Sequence, residues 1–269
     1  SSAFPLIYFA DLAKELDPKL FAKSDPASYV RAGIRRLATM QLYSGGFGMW
    51  PGSDQLEIWP SIYATHFLVE ARRGGHLVEN FLYDRAIEFL QSQIRAKQTY
   101  GSRELQETVY ALYVLARAGK PDLGTMDFIR ERHFKALTAE SRGLLAAAYA
   151  SVGNRNAVDQ LIREIQDVEN VARETGGSFN STIRNRALLL LSLLDIAPAD
   201  PRVPRLIDRL ARDANFGWTT QESGFVFVAV GQFFRQQASK GPYSGTVFVG
   251  DKPLATFTNK TIAVGPIGG

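Results

Sequence analysis

Few residues in this 269-residue chain are of the types and spacing that carry out chemistry. The chain has no cysteine, which excludes disulfides, cysteine-ligated zinc and cysteine nucleophiles from the chain as given. Its three histidines, His66, His76 and His133, are far apart and belong to no recognisable motif. Because His66 falls within an apolar helical pattern, a structural histidine is favoured there over a site role. The sequence therefore predicts no metal site and no cofactor.

Two carboxylates, Glu57 and Glu222, are candidates for acid–base chemistry because each lies near the start of an apolar helix. An inverting glycosidase holds two carboxyl groups about 6.5–9.5 Å apart, and two helix starts can meet at that separation. The competing interpretation is that Glu222 caps or neutralises a helix N-terminus. We favour the capping interpretation and predict no catalytic residue in this chain.

The composition is that of an ordinary soluble globular protein, with 45% apolar and 22% charged residues. The net charge is +4, but acidic and basic residues are interspersed along the chain. The arginine doublets at 35–36 and 72–73 indicate solvent-exposed helix faces, since a nucleic-acid site needs its cations clustered on one element. No stretch of 18 apolar residues occurs. We therefore predict no nucleic-acid partner and no direct membrane span.

The hydrophobic periodicity is helical up to about residue 240. It predicts helices over residues 3–16, 26–43, 59–74, 79–97, 103–118, 125–136, 139–152, 154–169, 181–195, 202–213 and 219–238. The helices alternate in character: those that begin at 59, 103, 139, 181 and 219 are apolar almost all round, whereas most of the intervening helices are amphipathic. A helix that is apolar on all sides is buried, and an amphipathic helix lies outside it. Residues 1–240 are therefore predicted to form an all-α fold, an α/α toroid of about six helical hairpins, with one outer helix expected before Ser1.

A degenerate loop repeat supports this ring. Glycines and aromatic residues precede three of the inner helices, in the segments Gly45–Trp50, Gly176–Phe179 and Asn215–Trp218. If the inner helices run parallel, these loops lie together on one face of the ring. Their aromatic side chains would then plug the end of the ring.

The pattern changes after Lys240. Short segments rich in Val, Thr and Phe, at Tyr243–Gly250, Leu254–Thr258 and Thr261–Val264, read as strands, with a turn at Gly250–Pro253. So short a segment cannot form an independent sheet. Residues 241–269 are therefore predicted to belong to an adjacent β domain.

Four segments carry a resemblance to a known family. They are Ser2–Tyr8, Gln41–Gly52 with Trp59–Ala71, Glu107–Gly119 and Phe216–Glu222, and together they resemble, in the right order, the thioester domain of bacterial alpha-2-macroglobulins. In that family a Cys-x-Glu-Gln motif starts the first inner helix, and its thioester captures attacking proteases covalently. The chain begins where that motif would end, so the chain as given lacks the thioester.

The resemblance implies a bacterial host-defence protein that inhibits endopeptidases of broad range and lies in the periplasm or cell envelope. Its partners would be target proteases, bound through the parent protein, and neighbouring β domains of the same parent chain. Five aromatic residues would form a thioester-shielding face: Phe47, Trp50, Trp59, Phe179 and Trp218. Since α/α toroids also occur in glycosidases and terpenoid cyclases, an enzyme of either type remains the alternative.

Overall fold

A computed structural model describes residues 3–8, 10, 19, 25–96, 100–213, 217–238, 244–249 and 252–258. A helical turn at residues 6–8 comes first. The α-helices that follow are α1 (Pro26–Ala38), α2 (Ile58–Arg73), α3 (Asn80–Ala96), α4 (Ser102–Arg117), α5 (Leu123–Arg132), α6 (Ala139–Ser151), α7 (Arg155–Arg163), α8 (Thr182–Ile196), α9 (Arg202–Asp213) and α10 (Thr220–Ala238). A 3₁₀ turn at Phe134–Ala136 precedes α6, and strands β1 (Ser244–Val249) and β2 (Lys252–Thr258) follow α10.

The inner ring consists of α2, α4, α6, α8 and α10, each of which contacts the next. These helices are apolar on nearly every side, so burial on all faces is the arrangement that removes most apolar surface from water. The ring of helices closes at the start of the chain, where the aromatic side chain of Phe4 lies 5.4 Å from that of Tyr63 on α2, measured between their centres. Tyr63 in turn lies 5.1 Å from Phe225 on α10.

The outer helices bury one stripe each. In α9 the buried residues are Val203, Leu206 and Leu210, spaced three and four apart as a single helix face requires. Helices α1, α3, α7 and α9 contact α2, α4, α6 and α8, respectively. The predicted α/α toroid is confirmed.

Three helices end well before the periodicity predicts. The helix predicted over 125–136 ends at Arg132 and is followed by the 3₁₀ turn. The helix predicted over 154–169 ends at Arg163, where Arg142 and Arg202 from other helices bind carbonyl groups of its last turn and of the residues just after it. Arg202 donates to the carbonyl oxygens of Ile162 and Ile165, at 3.0 and 3.2 Å. Such side-chain donors satisfy the terminal carbonyl groups that a further helical turn would otherwise bind. The helix predicted over 26–43 ends at Ala38, and Gln41 instead forms a β-bridge with Phe47.

The C-terminal β segment is also present. Strands β1 and β2 pair antiparallel from Ser244 opposite Thr258 to Val249 opposite Lys252, with an irregularity at Val247/Phe248. Lys252 and Pro253, which were predicted to lie in the turn, belong to β2. Half of the predicted helix 3–16, residues 214–216 and the predicted strand Thr261–Val264 lie outside the described residues. Within the described residues, no helix has the length and apolar character that crossing a membrane requires.

Candidate functional site

The inner helices run parallel and give the ring two distinct ends. Trp59 and Arg184 lie near the N-terminal ends of α2 and α8, and the guanidinium of Arg184 lies 4.3 Å from the Trp59 ring centre. We call this the near end. Glu70, Arg117 and Asp195 lie toward the C-terminal ends of α2, α4 and α8, where they form ion pairs with one another. We call this the far end.

At the near end, the first glycine–aromatic loop is fixed to the start of α2. The backbone N–H of Phe47 donates to the hydroxyl oxygen of Ser61 at 2.8 Å, and the Phe47 side chain is buried. Phe47 and Met49 line a cavity of about 250 Å³ together with Phe4 from the start of the chain. The structure therefore places the beginning of the chain beside this loop.

The second glycine–aromatic loop, residues 174–181, holds a strained residue. Phe179 has a φ of +51°, a left-handed conformation that is uncommon for a residue other than glycine. The loop is held by Glu174, whose carboxylate accepts hydrogen bonds from the Ser178 hydroxyl at 2.7 Å and the Asn180 backbone N–H at 3.2 Å. In the amide orientation that satisfies both neighbours, Gln221 donates to the Phe179 carbonyl and accepts from the Trp59 indole N–H.

A buried cation lies beneath these loops. Arg184 is 1% exposed, and burial lowers its pKa to about 10, so it stays charged at neutral pH. Its guanidinium donates to the Ser178 carbonyl and to the side-chain oxygens of Asn180 and Asn185. Arg184 therefore joins α8 to the strained loop and to Trp59 through hydrogen bonds and a cation–π contact.

The five predicted shielding residues lie in different surroundings. Phe47, Trp59 and Phe179 are joined to the near end by the contacts above. Trp218 packs edge-on against Phe227, 5.9 Å away, and its indole N–H has no partner among the described residues. Trp50 is 65% exposed, in the loop before α2.

The structure supports the capping interpretation of Glu222. Its carboxylate accepts from the Thr219 backbone N–H at 2.8 Å, while the Glu222 backbone N–H donates to the Thr219 hydroxyl at 3.2 Å. These reciprocal bonds form a capping box at the start of α10. Burial works to raise the pKa of Glu222, but the Thr219 and Ser181 hydrogen bonds and the charge of Arg173 lower it below its usual value. A carboxylate that is held ionised is a poor general acid.

His66 is a buried structural histidine. It is 1% exposed, and its Nδ1 lies 2.9 Å from the hydroxyl oxygen of Tyr110. The ring of Phe4 packs against it edge-on at 4.8 Å. Burial lowers the pKa of His66 to about 4, so the side chain is neutral at pH 7.

The far end holds a partly buried ionic network that the sequence does not predict. Arg117 makes a bidentate pair with Glu70, with N···O distances of 2.8 and 2.9 Å, and a third bond of 3.0 Å to Asp195. Tyr113 and Gln232 also donate to Asp195, at 2.9 and 2.8 Å. The sequence feature that could have predicted this network is the recurrence of charged residues near the C-terminal ends of helices that are otherwise apolar.

The network keeps Glu70 ionised in spite of its burial. Burial works to raise the pKa of Glu70, but the hydrogen bonds and charge of Arg117 outweigh this effect and lower the pKa. Tyr8, from the start of the chain, also donates its hydroxyl to Glu70. The network therefore fixes the first helical segment to the far end of the ring.

Comparison with known proteins identifies the relatives of this chain. No protein-family model matches it. It is 27% identical over 239 residues to alpha-2-macroglobulin from Xylella fastidiosa strain Temecula1 and 28% identical over 243 residues to that from Escherichia coli. These matches cover 82% and 85% of the chain. Among solved structures, native Escherichia coli alpha-2-macroglobulin superposes with a TM-score of 0.76 at 25% identity over 95% of the chain.

The resemblance to bacterial alpha-2-macroglobulin is confirmed. Salmonella alpha-2-macroglobulin reacted with methylamine also matches, with a TM-score of 0.74 at 26% identity over 95% of this chain and 17% of its own. The chain spans only 14% and 15% of the curated alpha-2-macroglobulins from Xylella fastidiosa and Escherichia coli. It thus corresponds to one segment of these much longer proteins.

Proposed function

We propose that this chain is the toroidal segment of an alpha-2-macroglobulin-like protease inhibitor and that it is not itself an enzyme. The parent protein would act in the bacterial periplasm or cell envelope as a host-defence inhibitor of target proteases. The ordered sequence similarity and the fold similarity to alpha-2-macroglobulins of two bacteria support this assignment.

One observation supports the near end as the functional surface. Ala3 and Phe4 line the same near-end cavity as Phe47 and Met49. In the family that the chain resembles, the Cys-x-Glu-Gln motif leads directly into this first inner helix. The near end is therefore the face on which the parent protein would present its thioester.

The chemistry at that face would be acyl transfer. A hydroxyl or amine of the protease would attack the acyl carbon of the glutamine-derived thioester. The new ester or amide bond forms as the carbon–sulfur bond breaks, the cysteine leaves as thiolate and the nucleophile loses its proton. No residue of this chain supplies the sulfur, since its sequence contains no cysteine.

The near-end aromatic residues would keep water from the thioester before a protease triggers the reaction. Phe47 and Trp59 are buried, whereas the exposed ring of Trp50 is free to pack against another part of the parent protein. An exposed aromatic side chain that rims a site buries apolar area when a neighbour covers it. Phe179 and Trp218 complete the proposed shielding face.

The experiment is to incubate the parent protein with elastase and follow two substrates. A trapped protease keeps its active site, so cleavage of a large protein substrate falls while cleavage of a small peptide substrate continues. Heat-denatured parent protein is the control. If the parent protein slows both substrates equally or neither of them, it is not a protease trap.

A further inference from the structure

The far end holds an open cavity of about 560 Å³ that the proposed function does not use. It lies where the C-terminal ends of α2, α4, α8 and α10 meet the first helical segment. Its floor is the ionic network of Tyr8, Glu70, Arg117 and Asp195, and two further arginines, Arg73 and Arg235, complete its charged lining. Its volume lies in the range of pockets that enclose a whole ligand.

Most of the bonding capacity of the floor is used within the network. Arg117 donates through Nε and both Nη atoms to Glu70 and Asp195. Glu70 also accepts from Tyr8, and Asp195 also accepts from Tyr113 and Gln232. Arg117 keeps two of its five N–H donors, but its side chain is only 17% exposed, so the groups at the rim are the more accessible donors for a ligand.

The rim carries two accessible guanidinium groups. Arg73 is 52% exposed, donates through Nη1 to the Arg117 carbonyl at 3.2 Å and lies 3.7 Å from Glu70. Arg235 is exposed and donates through Nη1 to the Ile7 carbonyl at 3.2 Å. Within the described part of the chain, no carboxylate lies within ion-pair distance of Arg235. Since a guanidinium has five N–H donors, both groups keep donors for an anion.

The charge of the lining selects among anions. Three arginines, Arg73, Arg117 and Arg235, face two carboxylates, Glu70 and Asp195, so the lining carries one net positive charge. A carboxylate, which is a monoanion, neutralises that charge. A phosphate dianion would leave one negative charge beside buried Glu70 and beside the negative ends of the inner-helix dipoles.

The position of the arginines in the last turns of their helices has a structural explanation of its own, because cations there stabilise the helix dipole. That explanation accounts for the charge but not for a cavity much larger than a carboxylate, with Ile7 and Gly74 in its wall. A carboxylate with amino-acid residues attached to it matches both the net charge of the lining and the volume of the cavity.

We propose that the far-end cavity binds the carboxylate of a polypeptide, held by the guanidinium groups of Arg73 and Arg235. The site lies at the opposite end of the ring from the proposed thioester face. It therefore does not depend on the protease-inhibitor proposal, and either can fail alone.

The test is titration calorimetry of the full chain at low salt with acetyl-tetra-alanine. Peptide with a free C-terminal carboxylate is compared with the same peptide amidated, with acetate and with inorganic phosphate. We expect the free-carboxylate peptide to bind most tightly, with a Kd that rises with salt. R235Q should weaken binding roughly tenfold or more, as loss of a charge-assisted hydrogen bond does. R73Q should act in the same direction, and R205Q, a change to an exposed arginine on α9, should have no effect.

Three outcomes would overturn the proposal. Equal binding of the amidated peptide would show that the carboxylate is not recognised. Acetate or phosphate binding as tightly as the peptide would show that the attached polypeptide is not recognised. Unchanged affinity in R235Q with an unchanged melting temperature would show that Arg235 does not bind the ligand.

Discussion

The ionisation of His66 ties the stability of the ring to pH. Its pKa is about 4 in the folded chain against 6.5 in the unfolded chain, because burial disfavours the charged ring. Unfolded chains therefore bind a proton between these values while folded chains do not. The contribution of His66 to the free energy of unfolding is complete above pH 6.5 and falls by about 3 kcal/mol as the pH drops toward 4.

The matching experiment is urea unfolding at pH 7.5 and pH 4 for the unaltered chain and for H66Q. We expect the loss of stability on acidification to be smaller in H66Q by about 3 kcal/mol. Carboxylates that do not interact with His66, such as Asp200 beside Arg202, titrate in both proteins and cancel in the comparison. The matched control is H133Q, which should lose stability as the unaltered chain does. An H66Q variant with the unaltered pH dependence would show that His66 is not the group responsible.

Arg117 is the residue on which the far-end network depends. Removing its charge leaves buried Glu70 and partly buried Asp195 without their cation. We expect R117M to lower the free energy of unfolding by at most about 3–5 kcal/mol, the cost of breaking a fully buried ion pair.

Two comparisons make this prediction specific. The double variant R117M/E70Q should be more stable than R117M, since it removes one uncompensated charge. R212M breaks an exposed ion pair between Arg212 and Asp208 on α9 and should cost less than about 1 kcal/mol. If urea unfolding gives R117M and R212M the same stability, the network does not stabilise the fold.

At the scale of elements, the glycine–aromatic loop before α2 shows where glycine is required. Gly45 has a φ of +90°, and a Cβ there would lie 2.3 Å from the backbone oxygen of Arg85. Gly52 has a φ of +80°, but a Cβ there would meet nothing within 4 Å. Both alanine variants force the left-handed conformation, at about 1–2 kcal/mol, but only G45A adds a clash with backbone.

We therefore expect G45A to be less stable than G52A by about 1–3 kcal/mol, the typical cost of overpacking. Thermal or urea unfolding of both variants measures the difference, and G52A is the matched control for backbone strain. Equal stabilities would mean that the loop moves away from α3 without cost.

The same elements show how far the sequence predicts the structure. The contrast between helices such as α8, apolar on every side, and α9, with one apolar stripe, was enough to assign inner and outer rings. Helix ends were harder, because α7 stops where Arg202 binds its last carbonyl groups, and that contact is tertiary. The network around Arg117 was missed for the same reason: its members are distant in the sequence and meet only once the ring closes.

The candidate site was predicted in part. Glycines beside aromatic residues indicated the near end, and Phe47 and Trp59 lie there. The hydrophobic pattern did not distinguish a buried ring from an exposed one, so Trp50 was grouped with them although it is 65% exposed. The arginine of the near end, Arg184, lies in an apolar helix and gave no local signal of its contact with Trp59.

At the scale of the whole molecule, the stability of the β hairpin tests the division of the chain into a toroid, residues 1–240, and a β segment, residues 241–269. We propose that residues 241–269 belong to an adjacent β domain, because an isolated two-stranded hairpin is marginally stable in water. In the full chain alone, amides of β1 and β2 should exchange hydrogen much faster than those of α4. Strand amides as protected as those of α4 would assign the hairpin to the toroid instead.

The central claim is that the near end of the ring shields a thioester in the parent protein. The most direct measurement is the rate at which the parent protein loses its capacity to incorporate methylamine, compared for the unaltered protein, W50A and L77A. Leu77 is the matched control, since it is 86% exposed and follows the C-terminal end of α2 at the far end. We predict several-fold faster loss in W50A, with unchanged helix content, and no change in L77A. A parent protein that never incorporates methylamine, or a folded W50A that loses the capacity no faster than L77A, would contradict the claim.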